Sequence, residues 1–123
     1  MLTVLILEDH ADLLECVAEE LECLGHSPIC SRTIDEARAQ LAMHDDISVL
    51  ITDLQLDGEM RGEAFALAAQ AAHPGLHVVV TTGHSAEKLS EEGRRRFALL
   101  CKPYTFDALA QAIASPPPTP GMP

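Results

Sequence analysis

Glu8, Asp9, Asp53, Thr82 and Lys102 are the residues of this chain whose types could do chemistry together. Three carboxylates brought to one place repel each other unless a cation sits among them. Hard oxygen ligands with open positions favour Mg²⁺ (or Mn²⁺), which commonly takes one or two carboxylates, several waters and a phosphate. An ammonium and a hydroxyl facing that ion can hold two further oxygens of an anion. Phosphoryl transfer asks mainly for in-line positioning and neutralised oxygens, and a carboxylate such as Asp53 can serve as the nucleophile. The set therefore points to an aspartyl-phosphate formed on Asp53.

Positioning these groups requires elements that end where they stand. Residues 3–7 form an apolar run ending in Glu8-Asp9, residues 47–52 a run ending at Asp53, residues 77–81 a run entering Thr82-Gly83, and residues 97–101 a run followed by Lys102-Pro103. Each reads as a buried strand, and residues 27–31 as one more. Helical periodicity fills the intervals. From Ala11 to Leu24 the residues Leu14, Val17, Ala18, Leu21 and Leu24 share one face, Glu15, Glu19 and Glu22 fall on the other, and Gly25 suits a stop. Thr33 suits an N-cap, with Glu36 three residues on and a helix to about Met43 whose inward residues are Ile34, Ala37 and Leu41. Residues 63–72 predict an Ala-rich helix, 85–92 a short one, and a last helix begins at Thr105 or Asp107 and runs through Ala114. Strictly alternating strands and helices predict an α/β fold: a three-layer (βα)5 sandwich on a five-stranded parallel sheet with right-handed crossovers. In such sheets ligands bind beyond the carboxyl ends of the strands, where all five polar groups fall.

The chain has 123 residues, enough for one domain, expected over residues 1–114; residues 115–123 contain five prolines and read as a disordered tail. Hydrophobic residues make up 47% and aromatics 3%, so the core must be aliphatic. A net charge of −11 argues against nucleic acid and against anionic membranes as partners. The four cysteines form no CxxC and no zinc spacing, nothing at the start reads as a secretory signal, and no apolar stretch is long enough to span a bilayer. A cytoplasmic protein with reduced thiols is expected.

Singly, each polar residue has a plain explanation: an aspartate after a strand is usually a turn residue, and Glu8-Asp9 could cap the next helix. Four successive strand ends furnished with complementary groups are much harder to produce by chance. In their order and spacing, VLILEDH, LITDLQL, VVVTTGH and LLCKPYT make the sequence resemble the receiver domains of two-component response regulators and hybrid histidine kinases, over about residues 2–114. The resemblance implies a flavodoxin-like fold with strand order 2-1-3-4-5. It implies that Asp53 accepts a phosphoryl group from a phosphohistidine on a sensor histidine kinase or a histidine phosphotransfer protein. Asp9 and Asp53 would ligate Mg²⁺ directly, with the main-chain carbonyl of Gln55 as third ligand and Glu8 acting through water. Thr82 and Lys102 would bind phosphoryl oxygens, and the Lys102-Pro103 bond would often be cis. A downstream protein partner, and homodimerisation in some cases, belong to the same pattern.

Several positions depart from that pattern. The segment from Asp53 to Gly62 is one residue longer than the commonest form, as in receivers of hybrid kinases, and Asp57 stands where proline is common. Leu99 replaces the usual switching Tyr or Phe and fits a core position. Gln55 and His84 occupy places that flank the path of hydrolytic water in the family, and ordinary loop roles suit them equally. Cys16 and Cys23 lie two turns apart on the outer face of the first helix, roughly 10.5 Å at about 1.5 Å per residue, too far for a disulfide. Cys30 and Cys101 read as core, and Arg94-Arg95-Arg96, the one basic run, as a solvated loop or a partner contact. His10 and the histidines at 26, 44, 73 and 77 share no ligand spacing. The leading reading is a phospho-switch or phosphate shuttle rather than a turnover enzyme. A phosphorylation-independent binding module of the same fold, and a small metal-dependent phosphohydrolase, remain as alternatives.

Overall fold

Strands that are apolar on both faces are satisfied only between two layers of helices, and the computed structural model of the chain has that arrangement. It describes residues 1–56, 61–83 and 89–114. The elements are β1 (Thr3–Leu7), α1 (Ala11–Cys23), β2 (Ser27–Ser31), α2 (Ile34–Met43), β3 (Ile47–Asp53), α3 (Gly62–Ala72), β4 (His77–Thr82), α4 (Glu91–Arg96), β5 (Ala98–Cys101) and α5 (Phe106–Ala114). All strand pairs are parallel, in the order β2-β1-β3-β4-β5. This is the expected flavodoxin-like α/β sandwich.

Side chains alternate across the sheet with period two. Val4, Ile6, Val49, Ile51, Val79 and Leu100 meet α1 and α5 through Leu14, Val17, Leu21, Leu109 and Ile113. Leu5, Leu7, Leu50, Val78 and Val80 meet α2 and α3 on the other face, with Leu89 and Phe97 from either side of α4. Burying aliphatic side chains of this size stabilises by about 1.5–3 kcal/mol each, which is how a Trp-free, Tyr-poor chain holds together.

The helix ends follow local chemistry. Thr33 Oγ1 accepts from the Glu36 amide at 3.1 Å as an N-cap does, and the Glu36 carboxylate reaches back to accept from the amide of Arg32, one residue before the cap, at 2.8 Å. Gly25, with φ +89°, closes α1: its amide donates to Glu22 O and that of His26 to Leu21 O, a Schellman ending. Leu24 therefore sits at the cap and is 42% exposed, rather than continuing the inward stripe.

Further expectations need correction. Residues 85–88 of the short helix predicted over 85–92 lie outside the described residues; among the described ones a helix runs over Glu91–Arg96, so Arg94-Arg95-Arg96 is its last turn and not a loop. Ser90 Oγ accepts from the Gly93 amide as N-cap, and acids in the first turn with bases in the last suit the helix dipole. Cys30 and Cys101 are exposed, and Leu99 is 42% exposed. They lie on β2 and β5, the two edge strands, where the cover of flanking helices runs out. Asp57, His84 and the tail 115–123 lie outside the described residues. No helix among the described residues is long and apolar enough to cross a membrane.

Candidate functional site

Two residues beyond Ile6, Ile51 and Leu100 come Glu8, Asp53 and Lys102. Alternation therefore brings all three to the side of the sheet that packs on α1 and α5, past the last apolar layer. Their ends are tied together by main chain. The Glu8 amide donates to Ser31 O at 3.1 Å, the Leu54 amide to Thr81 O at 2.8 Å and the Lys102 amide to Thr82 O at 2.7 Å. The Lys102-Pro103 peptide is cis.

Lys102 sits between the two acids: its Nζ donates to Asp53 Oδ2 at 2.9 Å and to Glu8 Oε1 at 3.2 Å. Both acids are buried, Glu8 5% and Asp53 7% exposed. Their remaining oxygens are also satisfied, Glu8 Oε2 by the His10 amide at 3.0 Å and Asp53 Oδ1 by the Gln55 amide at 3.2 Å. Burial pushes the Glu8 carboxyl above its usual range, and the repulsion of Asp53 adds to this; the His10 amide and Lys102 oppose without prevailing. For Lys102, burial works against the charge, but the hydrogen bond and charge of Asp53, then those of Glu8, outweigh it and hold the ammonium above the usual lysine value. The two directions agree physically: burial dominates at Glu8, while at Lys102 the two acids together outweigh it. Tyr104, next to this cluster, is held protonated mainly by its own burial.

Asp9, His10, Asp53, Gln55, Gly83 and Lys102 line one cavity of about 330 Å³ at the strand ends. Asp9 and Asp53 thus face the same space, and ligand atoms of Glu8, Asp9 and His10 lie within 4.8 Å of one another. Thr82 is placed differently. It is 1% exposed at the end of β4, does not line the cavity, and by alternation belongs with Val78 and Val80 on the α3 side. Thr81, not Thr82, pairs in register with Asp53. The sequence reading had no use for His10, and no spacing rule could have supplied one: its part here is a backbone amide under Glu8 and a ring beside two acids.

An open, doubly wound parallel sheet with a lysine-bridged acidic cleft at its carboxyl edge defines a receiver-type α/β domain. No family model matches the sequence. Solved structures do match it over nearly its full length. A response regulator receiver domain protein from Clostridium thermocellum superposes with a TM-score of 0.83 at 22% identity, covering 93% of this chain and 92% of that one. A response regulator receiver protein from Sinorhizobium medicae gives 0.83 at 25%, covering 92% and 91%. SdrG from Sphingomonas melonis Fr1 gives 0.76 at 30%, covering 93% and 94%. The chain belongs to the response regulator receiver domains, a fold that supports a role in two-component signalling.

Proposed function

We propose that this domain, residues 1–114, is a phosphoacceptor that takes a phosphoryl group from a phosphohistidine onto Asp53. The observation that carries the reading is the Lys102 ammonium bridging Asp53 and Glu8 at the wall of a cavity that also admits Asp9. The donor set there suits a hard divalent ion: Asp9 and Asp53 bring carboxylates to one space that Gln55 also lines, and the Glu8 carboxylate lies close to that of Asp9. When bound, Mg²⁺ (or Mn²⁺) would neutralise the oxygens of the incoming phosphoryl group.

The remaining work falls to the chain itself. An oxygen of Asp53 attacks phosphorus as the phosphorus–nitrogen bond breaks, and the bonding pair stays on the departing imidazole. Lys102 is already within hydrogen-bond reach of Asp53 and moves its charge onto a phosphoryl oxygen. The Gln55 amide holds Asp53 Oδ1 as Lys102 holds Oδ2, so the carboxylate is oriented before the phosphoryl group arrives. Thr82, next to the cleft at the end of β4, would turn its hydroxyl to the new anion. The outcome is a charge switch, read by a downstream protein or passed onward, rather than steady turnover. The donor is a sensor histidine kinase or a histidine phosphotransfer protein, and the setting is the cytoplasm.

Acetyl phosphate with Mg²⁺ tests this directly. Wild type should gain the mass of one phosphoryl group and Asp53→Asn none. Beryllofluoride with Mg²⁺ should shift the amide resonances around Asp53. An unchanged mass together with an unchanged spectrum for wild type would end the proposal.

A further inference from the structure

We propose that a clasp between Glu63 and Ser90 relays the state of Asp53 to helix α4, an inference that rests on the phosphoacceptor reading. The path begins at the cleft. The Gly62 amide donates to Leu54 O at 2.9 Å, and a Cβ at Gly62 would run into the carbonyl of Asp53 and lie 2.8 Å from Leu54 Cα. The first residue of α3 is therefore pressed onto the backbone that carries Asp53, with no room for slack.

The next residue is Glu63. Its carboxylate accepts from the Ser90 amide at 3.1 Å through Oε2 and 3.2 Å through Oε1, and it also accepts from the Ser90 hydroxyl. That hydroxyl in turn accepts from the Gly93 amide at 3.0 Å, as the N-cap of α4. One oxygen atom thus joins the start of α3 to the start of α4. Gly93 completes the contact: a Cβ there would meet the Glu63 carboxylate and lie 2.8 Å from Leu89 Cδ1. Charge-assisted bonds of this kind are short and directional, so a shift at the first turn of α3 moves the cap of α4 with it.

The 123-residue chain, loaded with Mg²⁺ and beryllofluoride and followed by amide NMR, tests the relay. Two variants break the clasp and keep the α4 cap: Glu63→Ala leaves Ser90 in place, and Ser90→Asp puts a good N-cap residue there whose charge repels Glu63. In wild type the amides of Gln55 and of residues 93–97 should both respond to loading. In both variants Gln55 should respond as before while the response at 93–97 falls by about threefold or more. A response at 93–97 that survives both substitutions, or that is missing from wild type while Gln55 moves, overturns the clasp alone. A wild type in which Gln55 itself does not move overturns the phosphoacceptor reading and the clasp with it.

Discussion

Lys102 and Leu99 stand three residues apart and obey opposite rules. At the cleft, an ammonium whose side chain is 24% exposed is fixed by two buried carboxylates. At the α4–β5 edge, a leucine lies largely in water, Cys101 beside it is exposed, and α4 itself buries only Gly93. Charge is inside because strand ends converge there; apolar surface is outside because β5 is an edge strand of the sheet. The cleft has the fixed, dehydrated groups that group transfer needs. The edge has uncovered apolar atoms beside a basic helix end. The contrast can be tested at single residues.

The largest effect should come from Leu100, which neighbours Leu99 on β5 but faces α1 and α5 and is 6% exposed. Leu100→Ala should cost about 3 kcal/mol in chemical denaturation, the usual result of emptying an aliphatic site in a packed core. A loss below about 1 kcal/mol would mean that β5 is loosely held on both faces and that the contrast drawn here is false.

Lys102→Met comes next. It removes the one cation between Glu8 and Asp53 while keeping the bulk of the side chain. In metal-free buffer at neutral pH it should destabilise by about 2 kcal/mol, less than for a fully enclosed ion pair because Lys102 is partly solvated. Acidification should reduce the difference, since protonated carboxyls no longer repel. A neutral variant at all pH values would show that the acids find other partners in solution.

Glu8→Gln should act in the opposite direction. The native state favours protonated Glu8, so the stability this contributes is intact below the ordinary value of 4.5 and is lost as pH rises through the elevated native value. The lysine behaves at the other end of the scale: its contribution is intact below 10.5 and is lost only as pH rises through its higher native value. The glutamine variant lacks the acidic loss, so its metal-free stability relative to wild type should rise from pH 4.5 up through the elevated native value of Glu8 and stay flat above it until Lys102 titrates. A relative stability that falls over that interval would show that Lys102 outweighs burial at Glu8.

Much of this was legible beforehand because both the strands and the cleft are written locally. The strands are only four to seven residues long, Glu8 and Lys102 come directly after theirs and Asp53 closes its own, so strand ends and cleft membership read off together. The cap at Thr33 and the stop at Gly25 were equally local. Exposure on β2 and β5 was not local: Cys30, Leu99 and Cys101 look like core residues until the sheet order makes their strands the edges and α4 proves to be a helix of six residues. The side of the sheet to which Thr82 belongs follows from parity only once the strand's true bounds are known. The pairing of Glu63 with Ser90 spans 27 residues with no repeating pattern to announce it.

The smallest effect is the most pointed test of the edge. Leu99→Ala removes as many atoms as Leu100→Ala, one residue away on the same strand, yet it empties no packed space, because the side chain is already 42% exposed. It should cost less than about 1 kcal/mol and shift the midpoint of thermal unfolding by only a few degrees. Phosphorylation of Asp53 from acetyl phosphate should be unchanged in extent, since no atom of Leu99 lines the cleft. If loading at Asp53 nevertheless failed in this variant, the edge would be part of the chemistry and the division between the two regions would have to be redrawn. If loading is intact and the response of residues 93–97 is also intact, then the leucine carries no signal, and the route from cleft to α4 must run through side chains other than the one at position 99.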